Sequence, residues 1–165
     1  MERKAYFAGG CFWCMEKPYH TRLGVLTAES GYSGGTEQDP VYADVKAQKT
    51  SHRETVEVTY DDTATTFSDL LDVYFDTVDP FDGGGQFIDR GRSYTCAIFY
   101  TDEEQQKEAL LRIARIEEQF GKKVCVAVEP FTVFYPAEEE HRDYARKNPE
   151  AYAHELEVSG RNRAR

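Results

Sequence analysis

The chain has 165 residues, 40% of them apolar and 30% charged, with a formal charge of -10. That length suits one domain around one core, and no run approaches the ~20 apolar residues of a membrane span. The acid excess argues against nucleic acid as the main partner, because phosphate binding rests on clustered Lys and Arg; only the tail "SGRNRAR" is locally basic.

The N-terminus "MERKAYFAGG" starts charged, and its apolar stretch is shorter than a signal-peptide core, so a cytoplasmic protein is expected. Four cysteines in such a chain point to metal-binding, catalytic or plainly buried thiols rather than a disulfide scaffold.

"RKAYFAG" reads as a short strand running into Gly9 and Gly10, and "CFWCMEK" as a helix start that Pro18 should kink or end. "GVLTAESGYSGG" reads as a strand entering a Gly-rich turn. "TEQDPVYADVKAQKTS" is expected to be a long loop, with neither helical nor alternating period. In "RETVEVTYD" the alternation puts Glu54, Val56, Val58 and Tyr60 on one face.

Phe67, Leu70, Leu71, Tyr74, Phe75 and Val78 follow helical spacing, in a helix ended near Pro80. "FDGGGQFIDRGRS" reads as irregular, "YTCAIFY" as a strand, "TDEEQQKEALLRIARIEEQF" as a helix with an acidic first turn, and "KKVCVAVEPF" as a strand. "AEEEHRDYARK" reads as a short surface helix before Pro149. The order is β-α-β-β-α-β with further αβ, which predicts an α+β, two-layer sandwich on a split-βαβ, ferredoxin-like core with a mixed sheet. Without repeats or linkers, residues 1–150 are expected to form a single domain and 151–165 a C-terminal tail that lacks cysteine.

Cys11 stands where a strand passes through two glycines into a helix. Helix N-terminal N–H groups can draw a thiol from about 8.5 toward or below neutrality, which makes it nucleophilic; the plainer alternative is a small buried hydrophobe. Cys14 follows at CxxC spacing. Positions three apart on a helix hold Cβ atoms ~5–6 Å apart where a disulfide needs ~3.8 Å, so a bridge would be strained and easily reduced.

Zinc competes for a CxxC, but structural zinc takes four ligands, and here Cys96 and Cys125 stand alone in predicted strands while no close His pair exists. Phe12 and Trp13 read as core rings or, beside a catalytic thiol, as an apolar wall for a thioether or methyl group. Glu54 could be a partly desolvated acid with a raised pKa, although a lone Glu at a strand's open end is more simply solvated. "GYSGG" and "DGGGQ" are turns, since neither sits in a phosphate-loop context; "EEEH" reads as an acidic helix start.

Together "GGCFW" with Glu16, "GYSGG", "DPVYADV", "HRETVEVTYD", "VDP", "DRGRSY" and "PFTVFYPAEEEHRDYARKNP" resemble the A-type peptide methionine sulfoxide reductases, in order, from about residue 5 to 150. The resemblance implies that Cys11 is the nucleophile that attacks the sulfoxide sulfur and that Phe12 and Trp13 form the wall around the substrate methyl. It implies that Glu54 is the acid that protonates the sulfoxide oxygen, that Tyr42 and Tyr94 are phenols hydrogen-bonding that oxygen, and that Asp89 is a supporting acid. The S epimer of methionine sulfoxide, free or in polypeptides, is the implied substrate, and Cys11 ends the first step as a sulfenic acid.

Many members read GCFWG and resolve the sulfenic acid with cysteines in a C-terminal tail, whereas this chain reads GCFWC with no cysteine after Cys125. Cys14 is therefore the expected resolving cysteine. Cys96, taken to share a strand face with Tyr94, is the runner-up, and Cys125 comes third. Thioredoxin or a similar dithiol is the expected reductant, because nothing resembles a nicotinamide or flavin fold; no metal is needed, no membrane is involved, and a monomer is expected. A thioredoxin-type thiol–disulfide exchanger and a zinc-binding interaction module are the alternatives.

Overall fold

A computed structural model describes residues 1–159 and 161. The strands in chain order are β1 (Glu2–Ala8), β2 (Val25–Ser33), β3 (Arg53–Asp61), β4 (Gly85–Gln86), β5 (Asp89–Arg90), β6 (Ala97–Tyr100), β7 (Ala127–Pro130) and β8 (Phe134–Pro136). The helices are α1 (Phe12–His20), α2 (Tyr42–Lys46), α3 (Phe67–Thr77), α4 (Glu103–Phe120), α5 (Tyr144–Lys147) and α6 (Pro149–Ser159), with single 3-10 turns at Arg92–Tyr94 and Glu139–His141.

The main sheet runs β7-β6-β1-β3-β2-β8. Its central four strands, β6-β1-β3-β2, are mutually antiparallel, with α1 and α3 as the crossovers, which is the expected split-βαβ core. Strand β7 joins parallel to β6 through α4, so the sheet is mixed, and β8 closes the other edge against β2.

The alternation in β3 sets the core. Glu54, Val56, Val58 and Tyr60 are all buried, and the last three meet Phe7, Phe12, Met15, Tyr19, Leu70, Leu71 and Tyr74 beneath α1 and α3. Strand β1 is buried on both sides, with Tyr6 and Ala8 joining Ala97 and Phe99 in a smaller opposite cluster, where Tyr6 stacks on Phe131 at 3.9 Å. Local signals fix the helix ends. Thr66 and Asp69 form a reciprocal capping box on α3, Asp102 caps α4 through the Gln105 N–H at 2.8 Å, and Gly121 at φ +62° ends α4.

Several expectations change. The stretch read as an unbroken loop contains the five-residue α2, and the Gly-rich "FDGGGQFIDRGRS" folds into the β4–β5 hairpin followed by a 3-10 turn. Strand β8 was not foreseen; three residues are too few for alternation to register. "AEEEHRDYARK" is a 3-10 turn and the four-residue α5, separated by Asp143 in the left-handed region at φ +55°, rather than one helix. Pro18 lies inside α1, which runs only two residues beyond it. Cys125 precedes β7 instead of lying within it, and Val78 is the C-cap of α3. Position 150 lies within α6, so the boundary drawn at 150/151 crosses a helix; residues 160 and 162–165 of the tail lie outside the described residues. Among the described residues no helix is long and apolar enough to cross a membrane.

Candidate active site

Strand β1 hands the chain to α1 through Gly9 and Gly10. A Cβ on Gly9 would lie 2.4 Å from Val78 Cγ1; Gly10 has φ +86°, and a Cβ there would lie 2.5 Å from Arg161 Nη2. Only glycine fits this elbow, and it delivers Cys11 to the N-cap of α1 in extended conformation. The Cys11 side chain makes no capping hydrogen bond. A carboxylate from the neighbouring strand does that work: the Phe12 N–H donates to Glu54 Oε1 at 3.1 Å.

Glu54 stands opposite Tyr32 of β2 and is 1% exposed, so the reading of a solvated carboxyl at the strand's end is corrected. The start of α1 covers that end of β3. Its second oxygen, Oε2, is buried without a protein partner. Burial pushes the carboxyl up to about 8, against the pull of the Phe12 N–H, and the nearby Asp89 adds to the rise. Glu54 therefore carries a proton at neutral pH.

Cys11 is 6% and Cys14 2% exposed, and all four cysteines are free thiols. Their electrostatics reverse the expectation that the helix N-terminus lowers Cys11. The hydrogen bond to Cys14, burial, and the acids Glu54 and Asp89 all push the Cys11 thiol up. The same bond lowers Cys14, with help from Arg161 and against burial. Their mutual contact thus favours negative charge on Cys14 over Cys11.

Asp89, from the β4–β5 hairpin, and Glu155, from α6, bring carboxylate oxygens to the Cys11 sulfur, the three atoms lying within 4.8 Å of one another. Asp89 is raised, by burial first and Glu155 second. Tyr42, the first residue of α2, and Tyr94, at the end of the 3-10 turn, both feel Glu54 and Cys11, and both phenols are held protonated by burial. Glu138 fixes this corner by accepting from the Tyr42 N–H at 3.0 Å and the Tyr32 hydroxyl at 2.8 Å.

The two rings after Cys11 differ. Phe12 is 0% exposed and backs the site against Tyr32 and Tyr42, whereas the half-buried Trp13 stacks on Tyr144 at 4.0 Å. His141 stacks on Tyr42, also at 4.0 Å. His141 and Tyr144 were not singled out from the sequence, where they sat inside a run read as a surface helix. Nor were Tyr152 and Leu156 of α6, which pack against Cys11 and Cys14 and close over the thiols.

Cys96 does not share a strand face with Tyr94. Tyr94 ends a 3-10 turn, while Cys96 is buried in the main core near Tyr74 and pushed up to about 12 by burial. Cys125 lies beside Gly83, its N–H donating to the Pro80 carbonyl at 2.6 Å. Neither joins the cluster of Cys11, Cys14 and Tyr152. Among the described residues, metal-ligating side chains converge twice, at Cys11–Asp89–Glu155 and at Glu16–His20–Asp143. The second is an ion-pair set in which Glu16 Oε1 meets His20 Nε2 at 3.1 Å, and neither offers the four ligands of structural zinc.

The chain matches the family profile of peptide methionine sulfoxide reductases over residues 3–165. It is 47% identical over 159 residues to peptide methionine sulfoxide reductase MsrA 2 of Staphylococcus aureus (strain Mu50), covering 95% of this chain and 90% of that one. Among solved structures, reduced Mxr1 of Saccharomyces cerevisiae superposes with a TM-score of 0.85 at 29% identity, over 90% of this chain and 87% of its own. Methionine sulfoxide reductase A of Corynebacterium diphtheriae gives 0.81 at 29% identity, over 90% and 76%. Mxr1 has also been solved in complex with Trx2, a likeness of TM-score 0.60 at 22% identity over 85% of this chain and 84% of its own.

Proposed function

The chain belongs to the peptide methionine sulfoxide reductase family, and from that premise we propose how its residues reduce the S epimer of methionine sulfoxide, free or in polypeptides. The observation that carries the reading is the protonated, buried Glu54, tied by one oxygen to the N–H of the residue after Cys11 and leaving the other oxygen without a protein partner.

A sulfoxide oxygen leaves poorly until it is protonated. Glu54 gives its proton to that oxygen while the Tyr42 and Tyr94 hydroxyls donate hydrogen bonds to it, so charge developing on oxygen meets donors already in place. Cys11 attacks the sulfoxide sulfur and an S–S bond forms as its proton passes to the neighbouring Cys14. The S–O bond then breaks and the protonated oxygen passes to the Cys11 sulfur as the S–S bond breaks, so the substrate sulfur is reduced to a thioether and Cys11 is oxidised to a sulfenic acid. Trp13, backed by Phe12, holds the methyl group, and Asp89 supports the acid site.

Cys14 then attacks the Cys11 sulfur and closes a Cys11–Cys14 disulfide, with the hydroxyl leaving as water. Its packing with Cys11 in one buried cluster, which neither Cys96 nor Cys125 joins, supports this role. Thioredoxin is the reductant we propose, a reading supported by the yeast relative solved with Trx2. We place the enzyme in the cytoplasm, where a reducing environment keeps its four thiols free. The reaction is read as belonging to one catalytic domain whose cover, α6, begins at Pro149.

The test is an epimer-resolved sulfoxide assay with thioredoxin on the wild type and Cys14→Ser. Selective loss of the S epimer, with multiple turnovers only in the wild type, is expected. Turnover of the R epimer, or undiminished thioredoxin-dependent cycling in Cys14→Ser, would count against the reading.

A further inference from the structure

The C-terminal segment brings one cation into the site. Arg161 is 4% exposed, and its guanidinium donates from Nη1 to the Thr77 carbonyl at 2.7 Å and from Nη2 to the Gly9 carbonyl at 3.1 Å. Its face lies 4.8 Å from the centre of the Phe87 ring. Three contacts on three separate segments fix both the place and the plane of the charge. The acceptors, two carbonyls and the Met15 sulfur 4.0 Å from Nη1, are neutral, so among the described residues dipoles solvate the charge, and Asp89 is an acid that feels it.

Arg161 shares with Cys14 a cavity of about 300 Å³, which Thr77, Tyr152 and Leu156 also line. The groups that act on the Cys14 sulfur come from several elements. Cys11 lies at the helix cap, Glu54 on β3, Asp89 on the β4–β5 hairpin, Tyr152 and Glu155 on α6, and Asp76 at the rim of the same cavity. The acids among them oppose a negative charge on Cys14; Arg161 favours one, and Lys17, a turn along α1, lies 5.1 Å from the centre of the Tyr152 ring.

We infer that Arg161 is a positioning residue for the resolving step, its fixed charge beside Cys14 holding that sulfur as the thiolate that closes the disulfide. The inference rests on Cys14 being the resolving cysteine. In the step, the Cys14 thiolate attacks the Cys11 sulfur and an S–S bond forms as the S–O bond breaks. The hydroxide takes the proton that Cys14 shed on ionising and leaves as water. The Cys14 sulfur is oxidised, the sulfenic sulfur is reduced, and no outside electron acceptor is needed. A thiol in place of the thiolate would be a far poorer nucleophile.

The experiment uses the full chain with Cys11→Ser, so that Cys14 is read without its partner. The rate of iodoacetamide alkylation at Cys14, followed by peptide mass spectrometry, is measured against pH for Arg161, Arg161→Gln and Arg161→Lys. Arg161→Gln should move the alkylation midpoint up by about one pH unit, which is about tenfold slower alkylation at any pH below both midpoints. Arg161→Lys should stay near the parent. In single turnovers of the otherwise wild-type protein, Arg161→Gln should let a dimedone-trappable sulfenic acid build up after methionine is released, and Arg161→Lys should reverse this. A midpoint unmoved in Arg161→Gln, or moved equally in Arg161→Lys, overturns the inference, because a purely structural role for the side chain would not follow charge. Loss of two thiols per turnover in Cys14→Ser would instead remove Cys14 as resolver, the separate premise.

Discussion

The Phe12 amide donates to Glu54 Oε1 across 3.1 Å, so the buried acid is tethered to the residue that follows Cys11. One contact does two jobs. It satisfies an N–H that every helix start leaves unpaired, and it fixes a carboxyl beside the thiol without occupying its second oxygen. Burial disfavours the charge, and among the described residues an ionised Glu54 would have that one N–H as its only protein donor, so the proton stays on up to about pH 8.

Activity should follow that proton. The rate of methionine formation in single turnovers is expected to fall as pH rises through about 8, where Glu54 ionises. Glu54→Gln should keep partial activity through a weaker hydrogen bond and lose this limb. Glu54→Ala should fall by about 10²–10⁴-fold, the span that general acids contribute. Equal rates for the two variants would remove the acid role.

The same group should weaken the fold near neutrality. Glu54 binds its proton far more tightly folded, at about 8, than at its ordinary 4.5. Its protonation therefore favours the folded state fully below about pH 4.5 and progressively less as pH rises to about 8, by about 1.4 kcal/mol per pH unit. Thermal melts of Glu54→Gln and wild type should nearly coincide at pH 4.5 and separate toward pH 8, with the variant the more stable. A gap that shrinks with rising pH would contradict the burial of this carboxyl.

Thiol counting should single out the resolver. With one equivalent of sulfoxide and no reductant, the wild type, Cys96→Ser and Cys125→Ser should each lose two free thiols, whereas Cys14→Ser should stop at a trappable sulfenic acid and Cys11→Ser should lose none. A Cys96→Ser protein that fails to form its disulfide would transfer the role to Cys96.

The phenols should act in the chemical step. Removing one hydroxyl in Tyr42→Phe or Tyr94→Phe is expected to lower kcat about tenfold, in line with the loss of one hydrogen bond to developing charge. KM should change less, because the bond strengthens as charge appears on oxygen. A rise in KM with kcat unchanged would make them ground-state binders instead.

Much of this was legible in the chain. Alternation in "RETVEVTYD" put Glu54 on the core face, and the spacing of Phe67, Leu70, Leu71 and Tyr74 gave α3, because both periods are read within one element. The split-βαβ order followed from those elements. What stayed hidden depends on contacts between distant segments. Cys11 looked activated by the local helix start, yet the neighbouring Cys14 and burial reverse the effect, with Glu54 and Asp89 adding to it from other parts of the fold. His141 and Tyr144 look like surface-helix residues until they stack on Tyr42 and Trp13. Arg161 looked like part of a polar tail and is among the most deeply buried charges.

The ladder between β1 and β3 pairs Ala8 with Thr55, three residues before Cys11 and one after Glu54. Sheet registry is thereby the gauge that spaces Cys11 from Glu54. A slip of one residue would turn Glu54 to the opposite face, and a slip of two would carry it ~7 Å along the strand, beyond reach of the Phe12 amide. Insertions in the α4–β7 connection leave that gauge untouched, while a single added residue inside β3 would disarm the enzyme even if the sheet still formed.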